Sequence, residues 1–136
     1  MARRTPISSI TSNVHPITGD VYQGTCPTRT VLDHITARWS MLILRLLLDR
    51  KRRFSELRRL IGGVSEKMLA QSLRALEEDG FVERTVFPTK PPSVEYSLTP
   101  LGSEMAPHVY ALTAWVENNL ATVLAHREGR KAQRAS

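Results

Sequence analysis

Apolar positions recur at helical spacing through most of this chain, with one interruption where the spacing shortens to that of a strand. Pro27 suits a first helical turn, with Thr25 or Cys26 as its cap, and Val31, Leu32 and Ile35 then form an apolar stripe. A second helix over 40–48 carries Met41, Leu42, Ile43, Leu44, Leu46 and Leu47. Apolar on most sides, it is predicted to be the central buried helix, and the basic run 50–53 ends it. A third helix opens at Phe54-Ser55-Glu56-Leu57, with Ser55 as the expected cap and Leu57, Leu60 and Ile61 on its buried side. Gly62-Gly63 forces a turn, Ser65 caps a fourth helix over 66–79, and Gly80 closes it.

Beyond Gly80 the period changes. Residues 81–87 and 93–98 read as two strands, rich in β-branched and aromatic residues, around the loop Pro88-Thr89-Lys90-Pro91-Pro92. Thr99-Pro100 then starts a last helix, on which Met105, Val109, Leu112, Val116, Leu120 and Val123 keep one stripe. Pro107 predicts a kink or a split in it. Residues 1–24, rich in Thr, Ser, Pro and Gly, are expected to be an arm with little structure of its own. Residues 127–136 are expected to be a frayed basic tail, which leaves 25–126 as the folded domain. The predicted class is mainly α with a small β-hairpin. A tight turn joins the third and fourth helices and a hairpin follows at once, which is a winged helix-turn-helix with additional N- and C-terminal helices.

Charge sharpens the functional reading. The 136 residues include 19 Lys and Arg against 13 Asp and Glu, a net charge of +6, and this balance suits a polyanionic partner, nucleic acid first. On the fourth helix, Leu69, Leu73 and Leu76 line one side, and Lys67, Gln71 and Arg74 line the other at i, i+4 and i+7. Lys and Arg donate to guanine O6 and N7, and Gln pairs two-pronged with adenine, so this stripe is a candidate reader of bases. Ser65 at the helix N-terminus is a candidate phosphate contact. Arg52 and Arg53, with Ser55 beside them, and Arg84, Thr89 and Lys90 on the hairpin are further candidates for the DNA backbone or a minor groove. An ordinary solvated helix face would look similar in isolation; the turn before it and the basic hairpin after it favour double-stranded DNA. An RNA-binding or protein-binding winged helix is the alternative, and no obvious set of aromatics for base stacking supports it.

Other chemistry is sparse. Cys26 is the one cysteine, which excludes an internal disulfide and a four-cysteine zinc site and suits a cytoplasmic protein. No stretch is apolar for long enough to cross a bilayer, and no apolar segment follows Arg3 and Arg4 as in a signal peptide. His15, His34, His108 and His126 are too scattered for a metal site, no cofactor is expected, and no His is recognisably paired with Cys26 as in a thiol enzyme. The apolar stripe of the last helix exceeds what one small winged helix can cover. A two-fold dimer is therefore expected to bury Met105, Val109, Leu112, Val116 and Leu120 together with Val31 of the first helix.

The motifs Cys26-Pro27, Arg38-Trp39-Ser40-Met41-Leu42-Ile43-Leu44 and Arg53-Phe54-Ser55-Glu56-Leu57 are followed by Leu73-Arg74-Ala75-Leu76-Glu77-Glu78-Asp79-Gly80. Pro91-Pro92-Ser93-Val94-Glu95-Tyr96-Ser97-Leu98-Thr99-Pro100-Leu101-Gly102 completes the set. In order and spacing, over about residues 25–117, these resemble the HxlR-type transcriptional regulators, MarR-like winged-helix proteins. The resemblance implies a homodimer joined through its first and last helices on a palindromic operator, acting as a repressor or an activator. It also implies a role for Cys26, since in several such regulators a cysteine at this position senses oxidants or electrophiles. A thiol at a helix N-terminus near Arg29 fits that role, and a small capping or packing residue is the plainer reading. A small-molecule inducer in an interhelical pocket lined by Trp39, Tyr110 and Trp115 is the other means of control. Two departures stand out: Ala37-Arg38 where the family often has Gly-Lys, and Ser93 where it often has Arg, which removes a wing cation.

Overall fold

The computed structural model describes residues 19–24 and 26–135; the rest of the expected arm, over 1–18, and Thr25 as a possible cap lie outside them. Among the described residues, five helices and three strands follow in the order α1 (Pro27–Thr36), α2 (Arg38–Asp49), β1 (Arg52–Arg53), α3 (Phe54–Leu60), α4 (Glu66–Glu78), β2 (Val82–Phe87), β3 (Ser93–Leu98) and α5 (Pro100–Ala135). Cys26 caps α1, its sulfur accepting from the Thr28 N–H at 3.3 Å. Residues 19–24, read from sequence as unstructured, form a turn against α1. The Arg29 guanidinium donates to the carbonyls of Val21 (2.8 Å) and Tyr22 (3.0 Å).

The core gathers Ile43, Leu44 and Leu47 of α2, Leu57 of α3, Ile61 and Val64 of the turn, Leu69, Leu73 and Leu76 of α4, Tyr96 of β3, and Ala106 and Val109 of α5. It confirms α2 as the central helix, although α2 begins at Arg38, two residues before the expected start. The strands form one antiparallel sheet in the order β1-β3-β2, with Val82 opposite Leu98 and Phe87 opposite Ser93 in the hairpin. β1 was not foreseen, because two arginines carry no strand pattern. It exists because β3 offers an open edge, on which Arg52 pairs with Tyr96 and Arg53 with Glu95. Ser55 does not cap α3. The cap is Arg53, two residues earlier, and Glu56 reaches back to accept from the Arg53 N–H at 3.2 Å.

The link from α4 through the hairpin to α5 is tightly specified. Gly80, at φ +84°, ends α4, with its N–H bonded to the Glu77 carbonyl and the Phe81 N–H bonded to the Leu76 carbonyl. This is the paired closure that a left-handed glycine allows, and Phe81 and Leu76 both belong to the core. Thr99 caps α5 by accepting from the Gly102 N–H at 3.0 Å, and its hydroxyl donates to the Gly80 carbonyl. Gly102 has room for no side chain: a Cβ there would stand 2.0 Å from the Phe81 carbonyl oxygen.

Of the kink or split expected at Pro107, the split does not occur: helix α5 runs through as one element, at the loss of one hydrogen bond to the Ser103 carbonyl. It also continues through 127–135, where fraying was expected. That stretch is made largely of Ala, Arg, Lys, Gln and Glu, all good helix formers, and Glu128 pairs with Lys131 one turn on. No helix among the described residues is long and apolar enough to cross a membrane.

Candidate nucleic-acid interface

Helix α4 is built to show one face. Ser65 caps it, its oxygen accepting from the Met68 N–H at 3.1 Å while the hydroxyl proton stays available to a phosphate. Leu69, Leu73 and Leu76 are buried, and Lys67, Gln71 and Arg74 are exposed on the opposite side. None of these three polar side chains makes a hydrogen bond or ion pair with another described residue. From Lys67 to Arg74 the helix rises about 10 Å, the height of roughly three base-pair steps. The turn before it uses Gly63 at φ +88°, with the Trp39 ring packed beneath it and the buried Ile61 and Val64 on either side. Arg58 of α3 pairs with Glu66 at 2.9 Å across the turn between the two helices.

A cationic groove lies between α3 and the hairpin. Arg53, Ser55, Arg84, Thr89, Lys90 and Ser93 line it. Arg53, Arg84 and Lys90 are exposed there. Thr89 is exposed at the tip, where its hydroxyl donates to the Pro91 carbonyl at 2.7 Å. Arg52 is a clear correction. Its side chain is 9% exposed and is held by Asp49 at 2.9 Å, by Glu56 at 4.0 Å and by the Leu46 carbonyl. Strand β1 alternates, so Arg53 faces out and Arg52 faces in. The Glu56 carboxyl lies below the usual carboxylate range, chiefly because the Arg53 N–H donates to it and then because Arg50, Arg52 and Arg59 surround it.

Sequence reasoning missed Arg58 and Arg59, exposed in the last turn of α3 beside Ser55. Their signal was present as two adjacent cations on the helix preceding α4. It missed Met68, exposed at the first turn of α4, where a thioether could meet a thymine methyl.

Of the expected dimer residues, Leu112, Val116 and Leu120 are exposed, whereas Val109 is 6% exposed and belongs to the core. Met105 and Val31 are half-buried against that core. Trp115, Val123 and Leu124 are exposed on α5 and Leu32 on α1, and these extend the apolar surface. The three aromatics proposed for a ligand pocket have separate surroundings. Trp39 packs on the core with Arg38 over its ring, Tyr110 lies under Arg45 at 4.7 Å, and Trp115 is 57% exposed. Arg45 also pairs with Glu117 at 2.7 Å, which raises its pKa further and fastens α2 to α5. No cluster of three or more His, Cys, Asp or Glu among the described residues could hold a metal.

Comparison with known proteins agrees with this architecture. The family model described as HxlR-like helix-turn-helix matches residues 34–123. The HTH-type transcriptional regulator YtfH of Escherichia coli K12 is 57% identical over 114 residues, 84% of this chain and 90% of that protein. The solved structure of the transcriptional regulator ytfH from Salmonella typhimurium is 58% identical, with a TM-score of 0.79 over 82% of this chain and 99% of that one. The redox regulator HypR in its reduced form is 37% identical, with a TM-score of 0.66 over 73% of this chain and 98% of that one. The chain belongs to the HxlR-like helix-turn-helix family of transcriptional regulators.

Proposed function

We propose that this chain is a homodimer that binds a palindromic site in double-stranded DNA, reads bases with α4, and loses or changes that binding when Cys26 is oxidised or alkylated. The observation that carries the reading is the stripe of Lys67, Gln71 and Arg74, exposed, uncommitted and backed by three buried leucines. An ammonium, an amide and a guanidinium on one narrow helix face match the donors and acceptors of the major groove. The groove of Arg53, Arg84 and Lys90 supplies sequence-independent charge, and Arg59 on the neighbouring helix adds to it.

The apolar side of α5 supports the dimer. Leu112, Trp115, Val116, Leu120, Val123 and Leu124 are all exposed, which a monomer rarely tolerates. Charge favours an antiparallel crossing. Residues 100–119 hold Glu104 and Glu117 with no Lys or Arg, whereas 120–135 hold Arg127, Arg130, Lys131 and Arg134 against Glu128. A two-fold axis across α5 sets the basic half of each copy against the acidic half of the other. The redox element rests on the family resemblance and on the likeness to HypR, together with the place of the thiol at the cap of α1. Cys26 is 4% exposed and its N–H bonds to the Gln23 carbonyl of the 19–24 turn, so an oxidant reaches it only when its surroundings open.

The test is a gel shift with the gene's own upstream region across a salt series. Gln71→Ala and Arg74→Ala each cost about 1–3 kcal/mol of specific affinity. Lys90→Ala weakens binding to all sequences alike and lowers the slope of log K against log salt by about 0.9. Unchanged affinity when Gln71 and Arg74 are replaced together removes α4 as the reader.

A further inference from the structure

Asp79 is the C-cap of α4, at the helix end where unpaired carbonyls concentrate negative charge. A carboxylate is poorly placed there unless a donor answers it. His34, in the last turn of α1, is that donor: its Nδ1 lies 2.6 Å from Oδ2 of Asp79. The side chains are 32% and 18% exposed, so water competes only partly for the bond. Among the described residues it is the one polar side-chain contact between α1 and α4. An N–H on Nδ1 is present in imidazolium and in one neutral tautomer, so the bond does not require a charged histidine.

The surroundings make this contact consequential. α1 has no fully buried residue and rests on the domain through the half-buried Val31 and Ile35. On the opposite side, the end of α4 is held by Thr99, which caps α5 and donates to the Gly80 carbonyl. The two helices assigned to the subunit contact therefore both grip the same end of the proposed reader. Asp79 is the pivot, and Lys67 lies about 18 Å away along the helix. A tilt of about two degrees at the pivot moves the backbone at Lys67 by about 0.6 Å, more than the tolerance of a good hydrogen bond.

We propose that His34 is a positioning residue for base recognition: through Asp79 it fixes the angle of α4 against α1, and so registers the reading stripe to the dimer. The inference rests on the DNA-reading role of α4 argued above, and the experiment separates the two. The probes are a duplex selected by the wild-type protein from a random pool and a scrambled duplex of the same length and composition. His34→Ala loses about tenfold in affinity for the selected duplex and keeps its affinity for the scrambled one. His34→Val, which fills the space without a donor, behaves the same and serves if the alanine variant fails to fold. His34→Asn, whose amide N–H stands close to the position of Nδ1–H, restores most of the loss. A packing role alone predicts the reverse: valine rescues and asparagine does not, and that result overturns the proposal. If His34→Ala keeps the wild-type ratio between duplexes while Gln71→Ala loses it, α4 reads DNA without help from His34 and the proposal fails alone. If Gln71→Ala and Arg74→Ala combined also keep the ratio, both readings fall.

Discussion

Replacing Gly102 by alanine tests the joint between α4, the hairpin and α5. The added Cβ would stand 2.0 Å from the Phe81 carbonyl oxygen, 2.9 Å from its carbon and 3.2 Å from a Leu98 methyl. A carbon needs about 3.3 Å from a carbonyl oxygen, so the two segments must part by about 1.3 Å. That separation breaks the Thr99 N–H bond to the same carbonyl, now 3.0 Å, and the Thr99 hydroxyl bond to the Gly80 carbonyl. Two lost bonds cost about 1 kcal/mol each. Overpacking costs about 1–3 kcal/mol more. Alanine's better helix propensity returns about 1 kcal/mol. The net destabilisation is about 2–4 kcal/mol, a large part of the roughly 5–15 kcal/mol that holds a domain folded. Urea unfolding at fixed protein concentration measures it, with Gly129→Ala as the control. Gly129 lies in exposed α5 with nothing within 4 Å of a new Cβ, so alanine there is neutral or stabilising. A Gly102→Ala protein as stable as the control refutes the steric argument.

Three further outcomes are expected. Arg52→Ala lowers stability, by about 1–3 kcal/mol for the charge-assisted bonds it removes, and leaves the salt dependence of DNA binding unchanged, which urea unfolding and a gel-shift salt series check. Leu112→Glu places a charge on the apolar face of α5 and yields a monomer by light scattering at micromolar concentration; a variant that stays dimeric moves the interface elsewhere. Diamide takes two electrons and two protons from a pair of thiols, so treated protein gains either a disulfide to Cys26 of the partner subunit or a mixed disulfide with an added small thiol. Intact mass identifies which, operator affinity changes with it, and Cys26→Ser abolishes the response; a modified thiol with unaltered DNA binding makes Cys26 structural.

The order of helices and the hairpin were legible because each has a local signal: Pro27 and Thr99-Pro100 as starts, Gly63 and Gly80 as stops, and leucines at helical spacing on α4. The misreadings share a cause. Arg52 and Arg53 are adjacent and identical in type, and only pairing with β3 decides which one faces inward. Val109 and Leu112 lie on one stripe, but packing against the rest of the domain buries the first and leaves the second exposed. Each depends on contacts between distant segments, which periodicity does not encode. His34 was invisible for the same reason: 45 residues separate it from Asp79.

The central claim is that α4 reads a defined sequence as one half of a two-fold pair. Selection from a random duplex pool by the wild-type protein, followed by footprinting of the enriched duplex, tests it most directly. The account predicts an inverted repeat whose half-site centres lie about 10 base pairs, one helical turn, apart and whose protection is lost with Gln71→Ala and Arg74→Ala combined. A pool that binds without any sequence becoming enriched, or a selected site indifferent to both substitutions, contradicts it.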